Sequence, residues 1–270
     1  MSDEETAGTG VPHLFGRQLK RLRTWAGMGR AELGARTGYS ESTIASFEQG
    51  RRIPSGQFVA KADDALGGHG VLLEMVEELE RAQYPAFFRD AAKLEKEAVA
   101  LHVFAVQGVP GLLQTEDYAR SVFAMWRPAL EEETIEQRVA ARLARQAILA
   151  RKPMPTVSFV MEESVLRKRL GGVAVARRQL EQILLVGRRR DVHLQVMPDD
   201  EEHAALGGPF TLIETMKGRR IAYVEAHTHS RLFTDRRTVR ELEEQYNLLR
   251  AQALTPRESL AYVGKLLGET

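Results

Sequence analysis

The chain has 270 residues, no cysteine and a formal net charge of +1, so it is long enough for two domains with hydrophobic cores and excludes disulfides, thiol catalysis and zinc ribbons. No apolar run approaches the roughly 20 residues needed to span a bilayer, and the first ten residues are acidic and polar, unlike a secretory signal. These properties predict a cytoplasmic protein without membrane contact.

In chain order, residues 1–10 are predicted to be disordered and residues 11–80 to form a helical domain. The most informative part of this domain begins with a helix over Arg30–Thr37, after which Gly38 can take the positive φ of a sharp turn. Ser40 is a good N-cap for the next helix, and Gly50 ends it. This order predicts a helix-turn-helix unit whose recognition helix is Ser40–Gln49.

The pattern extends beyond this unit to nine residues: Leu33, Gly38, Ser40, Thr43, Ile44, Phe47, Glu48, Gly50 and Pro54. In type and spacing they resemble the Xre family (Cro/CI phage-repressor type), which implies a small five-helix domain. Its other helices are predicted over Phe15–Ala26, Phe58–Leu66 and Gly70–Glu80. The resemblance places a basic residue of the first helix opposite Glu48, so we predict an internal ion pair between Arg23 and Glu48.

The charge of this region is far from neutral. Between Val11 and Lys61 there are nine basic residues and only three acidic ones. Affinity for DNA depends largely on such local positive charge, which displaces counterions from phosphates. A solvated helix face is the alternative, but the basic residues coincide with the ends of the motif helices. We therefore expect double-stranded DNA to be a partner.

Two groups of DNA-contacting residues are predicted from their positions in the motif. Helix starts and the loop after the recognition helix usually meet phosphates, which indicates Arg30, Ser40, Arg51 and Arg52. The outer face of the recognition helix is expected to read bases, which indicates Glu41, Ser42 and Ser46. Glu41 could instead only stabilise the helix N-terminus. Because serine side chains are short, specificity per half-site should be modest, which favours a homodimer or help from a partner protein.

The segment over residues 81–92 connects two domains. It contains Tyr84, Phe87 and Phe88, and a flexible linker would not be this aromatic, so we expect it to pack against one or both domains. The second domain, over residues 93–268, is predicted to be α+β with a mixed or antiparallel sheet. Its predicted strands are Ala98–Val106, Thr156–Met161, Val192–Met197, Phe210–Thr215, Ile221–Ala226 and a short Arg231–Phe233.

The run Gln107–Arg120 (QGVPGLLQTEDYAR) carries a second resemblance. Together with Arg142, Arg145-Gln146 and Gln179-Leu180, it resembles a regulator family of high-GC bacteria in which an Xre domain precedes an uncharacterised C-terminal domain. Members of that family, such as the WhiJ-like regulators, are antitoxin-like or act in developmental control. The resemblance implies a small acidic partner protein and supplies no chemical activity.

The second domain also contains residues that bear on a metal site, an enzyme and an effector pocket. His203, Glu225, His227 and His229 could suggest a metal site, but Thr and Ser interleave them and no supporting carboxylate is evident, so no metal or cofactor is predicted. No phosphate loop and no G-x-S-x-G occurs, so an enzyme is not expected. A small-molecule effector is the open alternative, with Trp126, Phe159, Phe210 and Tyr223 as pocket walls, although such aromatics are more often core.

Arginines supply the sequence argument for a protein partner. Two predicted helices of the second domain carry them: Arg138, Arg142, Arg145 and Arg151 on one, and Arg177, Arg178, Arg188, Arg189 and Arg190 on or just after the other. Such surfaces suit an acidic partner, whose approach they would steer. The alternative is that they only keep a helical surface solvated. The sequence therefore predicts a DNA-binding transcription regulator whose second domain binds a small acidic protein.

Overall fold

The structure is a computed structural model that describes residues 3–82, 89–199, 203, 207–226 and 229–270. It divides into two compact units, Met1–Arg89 with Leu130–Ala141, and Asp90–Ala129 with Arg142–Thr270. Tyr84, Phe87 and Phe88 lie outside the described residues, so the expected packing of the aromatic connecting segment stays a prediction. Within the described residues, none of the helices combines the length and the apolar character needed to cross a membrane.

The first unit is built on five helices: α1 (Asp3–Trp25), α2 (Arg30–Thr37), α3 (Glu41–Glu48), α4 (Gly56–Ala65) and α5 (Val76–Ala82), with a short 3-10 turn over Leu73–Met75 before α5. Helix α1 begins at Asp3, whereas disorder was predicted through residue 10. Three consecutive acidic residues open this helix, and negative charge is favoured at a helix N-terminus.

The core of the first unit joins α1 to the two motif helices. Phe15, Leu33, Phe47 and Phe58 are almost fully buried in one hydrophobic cluster. Gly16 lies at the closest approach of α1 to the end of α3, because a Cβ built there would be 2.4 Å from the Glu48 carbonyl oxygen. The absence of a side chain at Gly16 therefore lets the two helix backbones touch.

The second unit contains a six-stranded mixed sheet, so the predicted α+β class is confirmed. Its strands are β1 (Ala98–Ala105), β2 (Thr156–Glu162), β3 (Val192–Met197), β4 (Phe210–Thr215), β5 (Arg220–Ala226) and β6 (His229–Phe233). Their order across the sheet is β3-β2-β1-β4-β5-β6. Strands β1, β2 and β3 are parallel, whereas β4, β5 and β6 join by antiparallel pairing. Strand β1 is therefore central and pairs with both kinds of neighbour.

Helices of the second unit lie on both faces of this sheet. They are α6 (Arg89–Lys96), α7 (Glu116–Ala124), α9 (Glu163–Arg167), α10 (Val173–Gly187), α11 (Arg236–Gln252) and α12 (Pro256–Glu269). Between α7 and α9, helix α8 (Glu132–Arg145) is divided: its residues through Ala141 belong to the first unit and the rest to the second. One hydrophobic cluster joins Phe159 and Leu101 to α10 and α12. The other joins Phe104 and Phe210 to α11. Because successive side chains of a strand point to opposite faces of the sheet, the same strands contribute residues to both clusters.

The sheet face beneath α11 carries a row of polar residues. His102, Ser158 and His193 stand opposite one another on β1, β2 and β3. The Tyr246 hydroxyl of α11 lies 2.6 Å from Ser158 Oγ, and its ring centroid lies 5.3 Å from that of His102. Burial lowers the pKa of His102 from its ordinary value of 6.5; the positive charges of Arg250 and His193 lower it further, and Glu214 opposes them. The folded protein therefore favours the neutral imidazole.

This environment predicts how the stability of the second unit depends on pH. Below about pH 6.5 the unfolded chain binds a proton at His102 that the folded chain resists, so stability is lost as the pH falls from about 7 to about 5. His102→Gln should reduce this pH dependence. The measurement is the midpoint of urea unfolding at pH 7 and at pH 5, monitored by the fluorescence of Trp126 in a Trp25→Phe background. The exposed His193 is the control position, and His193→Gln should keep most of the dependence; equal slopes for wild type and His102→Gln would contradict the assignment.

Candidate nucleic-acid interface

The turn between α2 and α3 has the geometry that its residues favour. Gly38 has φ +87°, and its amide donates to the Gly34 carbonyl at 2.8 Å, which ends α2. Ser40 then caps α3, because its side-chain oxygen accepts from the Thr43 amide at 3.2 Å. Helix α2 has the predicted bounds, and α3 runs from Glu41 to Glu48 between the capping residues Ser40 and Gln49.

The recognition helix has a buried side and an exposed side. Ile44, Phe47 and Glu48 are buried, while Glu41 and Ser42 are exposed. The third predicted base-reading residue, Ser46, is half-buried, and its carbonyl oxygen accepts from the Arg51 amide at 3.1 Å. The structure therefore places Glu41 and Ser42 on one open surface, with Ser46 one turn further along the helix and less accessible.

A buried carboxylate holds the end of α3. The Glu48 side chain is 1% exposed; Arg23 Nε lies 2.5 Å from its Oε1, and Arg30 Nε lies 2.7 Å from its Oε2. Arg23 also donates from Nη1 to the Met28 carbonyl at 2.7 Å. A negative charge in the last turn of a helix is disfavoured by the helix dipole, so Glu48 depends on these two guanidinium groups. The clamp ties α1 and the start of α2 to the recognition helix.

Arg30 therefore has a position that the sequence did not predict. It was assigned to phosphate contact, but its Nε is engaged by a carboxylate and its side chain is only one-third exposed. Its partner Glu48 lies 18 residues away, so no local spacing indicates the pair. Ser40 was also assigned to phosphate contact, and its hydroxyl serves as the N-cap of α3. Of the four predicted phosphate residues, the exposed cations are Arg51 and Arg52.

The loop that carries these two arginines is fixed by its main chain. Gly50 has φ +68°, and the amides of Arg51 and Arg52 both point to the Ser46 carbonyl, at 3.1 and 3.4 Å. The Arg52 guanidinium lies 5.9 Å from the centre of the Phe47 ring. From the other direction, Gln137 Nε2 of α8 donates to the Arg51 carbonyl at 2.8 Å. The loop is thus an ordered platform with its two cationic side chains exposed.

In the second unit, the run Gln107–Arg120 passes through a 3-10 turn at Gly111–Leu113 and enters α7 at Glu116, and glutamines satisfy main-chain groups of its buried, irregular part. Gln114 donates to the Val109 carbonyl at 2.7 Å, and Gln146 donates to the Gln114 carbonyl at 2.7 Å. Gln179 donates to the Leu113 carbonyl and accepts from the Thr115 amide, at 2.7 and 2.8 Å. Buried main-chain groups outside helices and sheets need such partners. Glutamines of the family pattern that lie far apart in the sequence therefore meet in one hydrogen-bonded network.

Several arginines expected to face a partner instead bind within the second unit. Arg142 donates to Gln114 Oε1 at 2.7 Å, and Arg145, which is 9% exposed, donates from Nε and Nη2 to the two carboxylate oxygens of Glu95. Arg151 donates to the carbonyls of Lys96 and Ala98. Of the arginines predicted to face a partner, the exposed ones lie on or just after α10: Arg177, Arg178, Arg188, Arg189 and Arg190. Among these, Arg178 pairs with Asp117 and Arg189 donates to the Leu149 carbonyl.

The four aromatics considered as walls of an effector pocket do not meet on one side of the sheet. Phe159 belongs to the cluster with α10 and α12, whereas Phe210 belongs to the cluster with α11. Trp126 is half-buried just after the end of α7, and Tyr223 is buried on β5. Because Phe159 and Phe210 lie on opposite faces, a single pocket walled by all four residues is not formed.

The histidines considered as metal ligands are only partly described. His203 Nε2 lies 3.4 Å from Glu162 Oε1, and the His203 ring packs edge-on against Phe104. His227 lies outside the described residues. Within the described part of the chain, no group of three or more His, Cys, Asp or Glu side chains is arranged to hold a metal ion.

Comparisons with known families match two separate parts of the chain. Residues 14–75 match a family model described as Helix-turn-helix domain, which contains α2 and α3 and is typical of DNA-binding regulators. Residues 88–265, more than half of the chain, match a model described as Domain of unknown function (DUF5753). No curated protein and no solved structure matches the chain.

The clamp at Glu48 yields a stability prediction. Glu48→Ala leaves Arg23 and Arg30 without their shared carboxylate and should cost about 3–5 kcal/mol in the free energy of unfolding of the first unit. Hydrogen exchange of the α1–α3 amides in the full-length chain measures this loss. Glu32→Ala is the matched control, because Glu32 and Arg36 form an exposed i,i+4 pair and its removal should cost less than about 0.5 kcal/mol. Equal losses in the two variants would contradict a clamp.

Proposed function

The chain belongs to the DUF5753 family and carries a helix-turn-helix domain before that region, and on this premise we propose that it is a sequence-specific transcription regulator of the Xre type. The observation that carries the proposal is the recognition helix. Its inner side is held by buried Phe47 and the Glu48 clamp, while Glu41 and Ser42 remain exposed. A rigid helix with a polar open face is what reading of a DNA groove requires.

In this proposal, affinity and sequence choice depend on different residues. Arg51 and Arg52 meet phosphates, because they are exposed on an ordered loop directly after the recognition helix. Glu41, Ser42 and Ser46 contact base edges, where a carboxylate can accept from cytosine N4, and a serine hydroxyl can donate to an acceptor edge or accept from a donor edge. Since these side chains are short, two copies of the chain would bind together, with their recognition helices about 34 Å apart.

The second domain is proposed to bind a small acidic partner protein, as in the WhiJ-like, antitoxin-like regulators that the sequence resembles. The exposed arginines at α10 support this proposal, because clustered positive charge steers an acidic protein toward its site. Arg188 and Arg190, which lie just after the last residue of this helix, are the residues proposed to contact the partner. A small-molecule effector is the alternative that the partner experiment distinguishes.

The division of labour at the DNA can be tested by two substitutions. Arg51→Ala should weaken binding to all sequences and reduce the slope of log affinity against log salt by roughly 1. Ser46→Ala should keep that slope and change the preference at one or two base pairs. Both are measured on the duplexes selected from a random pool by the wild-type chain. Arg237→Ala, at an exposed arginine of α11, controls for net charge; an equal loss of specificity from Arg51→Ala and Ser46→Ala would contradict the assignment.

The partner can be tested by affinity purification of the full-length chain from its native cells. We expect a small acidic protein to copurify with wild type and to be lost from the double variant Arg188→Glu and Arg190→Glu. Arg237→Glu with Arg240→Glu is the matched control, because these arginines are 89% and 78% exposed on α11. The effector alternative would be favoured if no acidic protein copurifies with the wild-type chain and a small-molecule extract raises its melting temperature.

A further inference from the structure

The phosphate-contacting loop of the first unit already has an intramolecular neighbour. Residues 130–141, which include the first part of α8, belong to the same compact unit as the helix-turn-helix domain. Gln137 of this segment donates from Nε2 to the Arg51 carbonyl at 2.8 Å. Ile135 and Val139 of the segment are buried. The segment therefore reaches the residue that is proposed to meet DNA.

The charge of this segment is opposite to that of the loop. Residues 130–141 carry Glu131, Glu132, Glu133 and Glu136 but only one arginine. Glu131, Glu132 and Glu136 are exposed, and Glu133 is half-buried. Glu133 precedes Gln137 by four residues, so the two side chains lie on the same face of α8, one turn of about 5 Å apart. Negative charge is thus brought close to Arg51 and Arg52.

DNA and this segment would compete for the space and the positive charge around the loop that carries Arg51 and Arg52. Glu133 lies about one turn, roughly 5 Å, from the residue that contacts the Arg51 carbonyl, which is inside the screening length of about 10 Å at 0.1 M salt. Repulsion between phosphates and carboxylates at such distances lowers DNA affinity, while α8 also takes up space beside the loop. Both effects disappear if the segment leaves Arg51.

We propose that residues 130–141 form an autoinhibitory segment, anchored by Gln137 on the Arg51 carbonyl, whose glutamates oppose the approach of DNA phosphates. This inference rests on the proposed DNA-binding function and adds a regulation to it. Full-strength binding requires the segment to move away from the loop. Any event that releases Gln137 from Arg51 would then switch the chain toward DNA.

A cross-link tests the geometry directly. The chain has no cysteine, so Gln137→Cys with Arg51→Cys introduces the only two thiols, and a short bis-maleimide can join them. The probe is nonspecific duplex DNA of about 30 base pairs at low salt, because phosphate contact is independent of sequence. The joined protein should bind at least about tenfold more weakly than the same double variant capped with a mono-maleimide. Failure of the cross-link to form in the free chain, or equal affinities of the joined and capped proteins, would overturn the inference.

Charge and anchor variants test the mechanism without a cross-link. Glu131→Gln, Glu132→Gln and Glu133→Gln together should raise the affinity of the full chain for the same duplex by roughly threefold to tenfold, and Gln137→Ala should raise it in the same direction. The matched control neutralises Glu241, Glu243 and Glu244 of α11, which changes the net charge equally. If the triple variant gains no more than this control, the inference fails while the proposed function stands. If no variant and no wild-type chain binds the duplex, the proposed function fails and the inference with it.

Discussion

An ionised carboxylate inside a protein has to be surrounded by donors, and the DNA-binding domain is arranged around one such group. Glu48 is buried at the end of the recognition helix, with one guanidinium from α1 and one from the start of α2 on its two oxygens. The backbones of α1 and α3 also touch at Gly16, directly beneath the Glu48 carbonyl. Because charge pairing and close packing meet at the same residue, the orientation of the recognition helix is fixed from two sides.

Patterns in the sequence predicted those helices and strands well whose formation depends on interactions between residues close together in the chain. Helix α2 and strands β3 and β4 have the predicted bounds, because a turn glycine, a capping serine, the alternation of apolar residues in β3 and the hairpin turn after β4 act over a few residues. The α+β class followed from the same patterns. The pairing of Arg23 with Glu48 was available only through the family resemblance, since these residues lie 25 positions apart.

What the sequence did not predict depends on contacts between distant parts of the chain. The second arginine on Glu48, the pairing of Arg145 with Glu95 and the opposite faces of Phe159 and Phe210 all require the tertiary arrangement. Gln114, Gln146 and Gln179 were part of a recognised pattern, but their role as partners of buried main-chain groups became clear only when the irregular segment was placed. An exposed-looking arginine in a sequence can thus be an internal donor.

The central position of β1 has a consequence for synthesis. This strand pairs with β2 and β4, which come about 50 and 105 residues later in the chain. The contacts among α1 to α5, in contrast, are complete within the first 82 residues. At roughly 5–20 residues per second, the ribosome needs on the order of ten seconds to extend the chain from α5 to β4. During that interval a folded DNA-binding core is attached to apolar strands that have no complete sheet. The growing polypeptide is therefore most exposed to aggregation, and most dependent on chaperones, in its second half.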